Sequence, residues 1–406
     1  MKSVICVQTE QPIQLTHRMS VSGEGEIWET HLPGQLAKIY ASPNGDRLRK
    51  LQVMVDFPPA DPNRALNHIS FAWPTSILRD YSGTPVGFLM PTITNSLELI
   101  NVYNPKRRKN TFPGFNWMYL HTAALNVASL IWRLHQMNVV VGDIKPQNIL
   151  INSEALPSII DTDSFQIRHP QTGEVFPCPV GSEGFTPREL LGQDLATVHQ
   201  TDIHDRFRLG VIIYLLLFGE HPFKGQWVGP GDSPEPNELV EKGYWPFAES
   251  SLIQPGPSTI SLKVVHPAVR ESFIRCFSEG HEVPERRPSA QDWVQVLNIA
   301  IDDLKGCWVS RNHFFSSEYG RCVWCDRRKK LGVDVFNPKP LPAPKVPSKK
   351  VTVQKVPGKK VPVQKVPVSP QPSIRSSRNA PPLQPNLPQK TPTGQPSHRA
   401  TQPGTS

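Results

Sequence analysis

The chain has 406 residues, which is enough for one large domain with appended segments or for two ordinary domains. Its formal net charge is +9, yet the segment from Pro338 to Ser406 holds 12 of the 44 Lys and Arg residues and no Asp or Glu. The other 337 residues carry 32 basic and 35 acidic side chains, which argues against a folded part that binds nucleic acid through a broad basic face.

Two stretches bear on the cellular location. Residues Met1–Thr16 lack the basic start and apolar run of a signal peptide, so we expect a cytoplasmic protein. The apolar run Leu209–Phe218 is about half the length that a membrane span needs, and it predicts a buried helix instead.

Residues 17–92 are predicted to be rich in β-structure. Residues 17–56 alternate short β-like runs with Gly-containing turns and then give a helical stretch over Asp46–Val55. Two further strands are predicted at Ile69–Leu78 and Pro85–Met90, separated by a turn-rich segment.

The chain beyond residue 92 is predicted to be mostly helical. Helices are predicted at Asn116–Met137, Asp205–Phe218, Pro267–Phe277 and Ala290–Leu304, and short strands at Val139–Val141, Ile149–Ile151 and Ser158–Ile160. A β-rich part followed by a larger helical part predicts one bilobal domain of the α+β class.

The strongest chemical signal lies between two β-like runs, in the sequence VVVGDIKPQNILI of residues 139–151. Asp143, Lys145 and Asn148 share this short loop. Phosphoryl transfer to a hydroxyl needs a carboxylate to orient the hydroxyl, a cation near the phosphate and ligands for Mg²⁺. The loop supplies all three kinds of side chain.

Four more segments follow in order. They are Ile159-Ile160-Asp161 after a predicted strand, GSEGFTPREL at residues 181–190, DRFRLGV at residues 205–211, and Arg287-Pro288-Ser289. The set resembles the catalytic segments of protein kinases, and the loop resembles their Ser/Thr form. The sequence DTDSF at residues 161–165 and the Gly-Asp catalytic loop resemble a bacterial group of cytoplasmic kinase-like proteins.

This resemblance implies a protein-kinase-like fold over about residues 18–303, with a small lobe over 18–92 and a helical lobe over 93–303. It implies ATP-dependent phosphorylation of Ser or Thr in a protein substrate. Asp143 would position the acceptor hydroxyl, Lys145 would neutralise charge on the γ-phosphate, and Asn148 and Asp161 would hold Mg²⁺. By the same resemblance Ser182 contacts Asp143 and Lys145, Asp205 bonds back to the catalytic loop, and Glu189 pairs with Arg287.

In the small lobe the resemblance implies a nucleotide site. Gly23 and Gly25 would form a shortened glycine-rich loop over the phosphates, and Lys38 would hold the α- and β-phosphates. Met90 would line the back of the adenine pocket, with the backbone of Pro91 and Thr92 hydrogen-bonding adenine.

Three positions depart from the family pattern. Val141-Gly142 replaces His-Arg before Asp143, which implies no switching by an activation-segment phosphate. Asp163 stands where Gly is expected and either adds metal-binding charge or caps a turn. No Glu occurs in residues 46–56, which leaves Asp46 as the expected partner of Lys38.

Two other functions remain open. A pseudokinase would keep the fold and act as a nucleotide-sensing scaffold. A small-molecule kinase of the aminoglycoside type shares loops like that of Asp143 but lacks the set of Glu189, Asp205 and Arg287.

A cysteine cluster follows the last predicted helix. Cys307, His313, Cys322 and Cys325 have the residue types and the Cys-x-x-Cys spacing of a closed, structural Zn²⁺ site over residues 305–333. The alternative is a set of incidental cysteines beside a surface histidine.

The segment 338–406 contains 17 prolines in 69 residues, and KKVTVQKVPG at 349–358 is nearly repeated at 359–368. We expect a disordered basic tail, either a solvated linker or a docking segment for an acidic partner, nucleic acid or membrane surface. Family resemblance further implies association with a von Willebrand A-type protein and a PP2C-type phosphatase.

Overall fold

The computed structural model describes residues 2–336, and the predictions for the tail lie outside this range. The small lobe is a closed barrel in the order β1-β2-β3-β4-β6-β5. Its strands are β1 (Lys2–Cys6), β2 (Pro12–Val21), β3 (Gly25–Thr30), β4 (Gln35–Tyr40), β5 (Ser76–Arg79) and β6 (Pro85–Pro91). The predicted strand at 69–78 is therefore shorter than expected.

The barrel begins before residue 18, where the sequence places the start of the domain. Strand β1 pairs with β2 on one side and with β5 on the other, so it closes the sheet. Val4, Cys6, Ile13 and Leu15 alternate with exposed or half-buried residues and are all buried in the barrel. Successive side chains in a strand point to opposite faces, so these four side chains all lie on the face that lines the barrel interior.

The helix of the small lobe, α1 (Gly45–Asp56), follows β4. The side chain of Asn44 accepts a hydrogen bond from the Arg47 N–H at 2.8 Å and caps the helix. Its buried face carries Leu51, Val53 and Met54 together with one charged residue, Lys50.

The large lobe is built around long helices that the sequence predicts well. Its elements are β7 (Ser96–Glu98), α2 (Ile100–Tyr103), α3 (Pro105–Thr111), α4 (Trp117–Gln136), β8 (Ile149–Asn152), β9 (Pro157–Ile159), β10 (Ile167–Arg168), β11 (Val175–Phe176), α5 (Asp202–Phe218), β12 (Gln226–Trp227), α6 (Pro236–Glu241), β13 (Ile253–Gln254), α7 (Pro267–Ile274), α8 (Gly280–Glu282) and α9 (Ala290–Asp303). Helices α4, α5 and α9 enclose the main core, in which Trp117 and Trp293 are fully buried.

A small sheet of order β7-β8-β9 presents the segments that face the small lobe. The loop before β8 carries Asp143, and the chain after β9 carries Asp161. The strand predicted at 139–141 does not form; only Val140 makes a bridge, to Gln166. The reason is that the Val141 N–H donates to the Asp205 carboxylate instead of to a neighbouring strand.

Residues 304–336 form a small module of β14 (Leu304–Gly306), β15 (Phe314–Ser316) and α10 (Val323–Leu331). The module is docked on the large lobe, because the Trp324 ring contacts those of Trp117 and Phe336 with centroids 5.1 and 4.7 Å away. Among residues 2–336, no helix combines the length and the apolar composition that a membrane crossing requires.

Candidate active site

The catalytic loop brings Asp143 into a compact polar cluster. One carboxylate oxygen of Asp143 accepts from the Ser182 hydroxyl at 2.8 Å, and the other lies 2.6 Å from the Lys145 Nζ. Lys145 also donates to the Ser182 oxygen at 3.2 Å, so the three side chains form a closed triangle. Asn148 donates its side-chain amide to the Asp143 carbonyl at 3.1 Å and fixes the loop. Sequence reasoning anticipates every member of this cluster.

Asp205 fixes the catalytic loop through its backbone. Its buried carboxylate accepts the Val141 and Gly142 N–H groups at 2.7 and 2.9 Å and contacts the His135 Nε2 at 3.1 Å. Burial raises the pKa of Asp205, but the bond to His135 and nearby Arg208 outweigh burial and hold that pKa below its usual value. The carboxylate is therefore ionised, as its role as acceptor of two backbone amides requires.

Gly142 explains why the family's usual Arg is missing at this position. Its φ is +75°, and a Cβ there would lie 2.6 Å from both Cβ and Sγ of Cys178. Cys178 itself is fully buried. The backbone of the catalytic loop thus meets the Cys178 side chain of the activation segment, the chain between Asp161 and Glu189, where a side chain of residue 142 would otherwise lie.

We expect Gly142→Ala to lower the free energy of unfolding by about 2–4 kcal/mol, because it adds an overlap to an unfavourable backbone conformation. Gly173→Ala is the matched control, since Gly173 has the same φ of +75° and open space around it. The control should cost only about 1 kcal/mol. Urea denaturation of both variants measures the difference, and equal losses would contradict a contact with Cys178.

Lys38 lies at the centre of a carboxylate cluster. Its Nζ is 2.8 Å from an oxygen of Asp161, 2.8 Å from one of Asp163, and 3.5 Å from one of Glu24. Burial lowers the pKa of Lys38, but Asp163 and Asp161 outweigh burial and raise that pKa above its usual value. Lys38 is therefore a permanent cation.

The expected pairing of Lys38 with Asp46 is wrong. Asp46 is exposed and contacts Arg49 at 3.0 Å on the outer face of α1. Asp163 takes this place, because the turn over residues 162–164 directs its side chain to both Lys38 and the Tyr40 hydroxyl, the latter at 3.0 Å. Asp163 thus does more than cap a turn.

The carboxylates around Lys38 provide oxygen atoms that suit a divalent cation. Glu24, Asp161 and Asp163 each place an oxygen within 4.8 Å of the others. Asn148 is linked to this cluster through its carbonyl, which accepts the N–H of Ile160 at 3.0 Å. Hard oxygen ligands of this kind are those that Mg²⁺ prefers.

The predicted glycine loop is the turn between β2 and β3. Gly23 lies at its exposed tip with open space around it. Gly25 is buried, and a Cβ there would lie 2.2 Å from the Ile39 carbonyl oxygen. Gly25 is therefore required by close strand pairing, whereas only Gly23 leaves backbone bare at the tip.

The predicted adenine contacts need one correction. The Thr92 N–H donates to the Gly34 carbonyl at 2.9 Å, because β6 continues its pairing with β4 through Gln35 and Pro91. The backbone of Thr92 can therefore offer only its carbonyl to a base. Met90 belongs to an apolar cluster with partly buried Ile27, Leu36, Ile93 and Ile160, which combines residues of both lobes.

The activation segment is tied down at both ends. Arg287 makes two bonds to the Glu189 carboxylate at 2.6 and 2.8 Å, as the sequence predicts. At the other end, the hairpin of β10 and β11 contacts α1 through Arg49 and Glu174 at 3.2 Å.

The four residues predicted as a metal site lie together in the module of residues 304–336. Cys307 Sγ is 3.6 Å from Cys325 Sγ, and His313 Nδ1 is 3.6 and 3.5 Å from Cys322 and Cys325. These separations match the edges of a tetrahedron whose metal–ligand distances are about 2.0–2.3 Å. No pattern in the sequence indicates Asp334, whose oxygen lies 2.9 Å from His313 Nε2.

The chain is similar to known protein kinases. Residues 96–294 match the family model of the protein kinase domain. The chain is 29% identical over 341 residues to protein kinase YegI of Escherichia coli O157:H7, covering 80% of this chain and 50% of that protein. The corresponding protein of strain K12 is 28% identical, covering 79% and 50%. The chain thus spans about half the length of these relatives.

Among solved structures, the ROP18 kinase domain in complex with AMP-PNP and sucrose is 14% identical with a TM-score of 0.47, covering 74% of this chain and 84% of that one.

Proposed function

Because residues 96–294 match the protein kinase domain, we propose that the chain transfers the γ-phosphate of ATP to Ser or Thr hydroxyls of a protein substrate. The observation that supports this best is the triangle of Asp143, Lys145 and Ser182. It offers a carboxylate and an ammonium group side by side at the end of a fixed loop, with a hydroxyl already seated where an acceptor hydroxyl would bind.

The role proposed for each residue follows from its charge and polarity. Asp143 accepts the proton of the acceptor hydroxyl, and Lys145 stabilises negative charge on the transferring phosphoryl group. Lys38 would contact the α- and β-phosphates beneath the Gly23 turn, and Met90 would line the apolar adenine pocket. Asn148 and Asp161 would hold Mg²⁺, which would supply positive charge to the phosphates.

A transfer assay tests the proposal. Purified chain is incubated with γ-labelled ATP, Mg²⁺ and a mixture of basic and acidic acceptor proteins, and labelled residues are identified by acid hydrolysis. We expect label on phosphoserine or phosphothreonine that disappears when Mg²⁺ is omitted. Label on tyrosine alone, or no label despite measured ATP binding, would overturn the proposal.

The second candidate is a pseudokinase that senses nucleotide. The contact between Lys38 and Glu24 favours it, because ATP phosphates that reach Lys38 would replace the Glu24 carboxylate there and so change the position of the loop. ATP binding without transfer in the same assay would support this function.

Asp163 should matter to catalysis although it replaces a glycine of the family pattern. We expect Asp163→Asn to reduce the transfer rate by about 10- to 100-fold, because Lys38 then loses one of its two closest carboxylates and its fixed position. Asp46→Asn is the matched control and should stay within twofold of the wild type. Steady-state transfer rates of the two variants decide which carboxylate supports Lys38. A rate loss in the Asp46 variant alone would favour Asp46 as the partner of Lys38.

We also propose that Cys307, His313, Cys322 and Cys325 hold a structural Zn²⁺, with Asp334 orienting His313. Association with a von Willebrand A-type protein or a PP2C-type phosphatase stays a prediction, and so does contact with nucleic acid through residues 338–406.

A further inference from the structure

A cavity of about 260 Å³ lies between the start of α1, the glycine-loop residue Glu24 and the activation segment. Asn44, Arg47 and Lys50 form its wall on the side of α1, and Asp163 lines it toward the nucleotide site. Asp143 and Lys145 do not line it. The cavity is thus distinct from the catalytic loop, although Glu24 and Asp163 also belong to the carboxylate cluster around Lys38.

Each carboxylate that lines this cavity lies within 3.5 Å of a cation. Asp163 contacts Lys38 at 2.8 Å and accepts from Tyr40. Glu24 lies 3.5 Å from the same Lys38, and Asp46 lies 3.0 Å from Arg49. Neither Lys38 nor Arg49 lines the cavity.

The two cations that line the cavity have no such match. Within residues 2–336, neither Arg47 nor Lys50 has a carboxylate at ion-pair distance. The Arg47 guanidinium instead lies over the Tyr40 ring, 4.7 Å from its centroid. Lys50 is only 6% exposed, and burial lowers its pKa to about 8. A buried amine without a counter-charge is costly, so this arrangement favours an anion as ligand.

The start of α1 adds to this preference. The first turn of a helix carries partial positive charge, and Asn44 and Arg47 place that turn on the cavity wall. We propose that the cavity binds a phosphate-type oxyanion through Lys50 and Arg47. The anion comes either from free phosphate or from a phosphorylated side chain of a peptide. Since Phe176 and Pro177 of the activation segment form the opposite wall, the bound anion joins α1 to that segment.

Binding is measured by calorimetry and thermal melting with inorganic phosphate at constant ionic strength, on the full chain without nucleotide. We expect saturable binding that Lys50→Met and Arg47→Gln each weaken about tenfold or more, because each variant removes one charge-assisted hydrogen bond. Lys38→Met tests whether phosphate occupies the nucleotide site instead. It should not abolish phosphate binding, although it leaves Asp163 and Glu24 without their cation, and Arg107→Gln on the exposed face of α3 should leave phosphate binding unchanged.

A second arm compares a phosphoserine peptide with its serine form. Tighter binding of the phosphopeptide than of inorganic phosphate identifies the side-chain source, and equal binding identifies the free anion. Two results would overturn the proposal: no phosphate binding at concentrations up to about 20 mM, or phosphate binding that only Lys38→Met removes. The readout does not depend on phosphotransfer, so failure of the proposed enzymatic function leaves the test intact.

Discussion

Asp143→Asn is expected to reduce phosphate transfer by about 10³-fold while the protein remains folded. The amide keeps the size of the side chain and can still accept the bond from Ser182, but it cannot take a proton from an acceptor hydroxyl. It also removes the charge that holds Lys145 at 2.6 Å. Single-turnover transfer with saturating ATP measures the loss directly.

ATP affinity separates this effect from a general disturbance of the site. The nucleotide contacts proposed for Lys38 and Asp161 involve other segments, so the Kd for ATP in the Asp143 variant should stay within about threefold of the wild type. Asp232→Asn on an exposed loop is the control for charge and should transfer at the normal rate. A transfer rate in Asp143→Asn within tenfold of the wild type would show that Asp143 is not the catalytic carboxylate.

The parts of this site that sequence predicts are those in which neighbouring residues act together. Asp143, Lys145 and Asn148 lie within six residues, and their short loop leaves few arrangements. Glu189 and Arg287 are distant, but their order along the chain places them in matching family segments. The bidentate bond between them follows that prediction.

The carboxylate partner of Lys38 could not be predicted in this way, because the pairing depends on a three-residue turn. Asp161 has a φ of +59°, and the following turn brings Asp163 back toward β4, 125 residues away in the chain. No local pattern reports that approach. Two features of the sequence together could have indicated this pairing: Asp163 stands where Gly is expected, and helix α1 has no Glu. A buried lysine needs a counter-charge from some element, and Asp163 was available to supply it.

Strand β1 escaped prediction for a similar reason. It has five residues, and its neighbours are β2 and the distant β5, so its burial depends on barrel closure. Asp334 likewise lies beyond the spacing of the cysteine motif and reaches His313 only because the chain folds back after α10.

Metal removal should unfold the module of residues 304–336. Metal analysis is expected to give one Zn²⁺ per chain, and chelation or Cys322→Ser should remove it. The module has two short strands and one nine-residue helix, which are too small to form a core without the metal. Because Trp324 packs on Trp117, loss of the module also exposes part of the α4 surface and should lower the melting temperature of the large lobe.

Hydrogen exchange resolved along the chain locates this effect. Amides of residues 304–336 should lose protection in the metal-free protein, while the barrel of β1 to β6 keeps it. Asp334→Asn should weaken zinc binding about 10- to 100-fold without abolishing it, because His313 loses the group that orients its ring. Cys6→Ala, in the barrel, should retain one zinc per chain. Unchanged protection of residues 304–336 after complete zinc removal would mean that docking of Trp324 alone maintains the module.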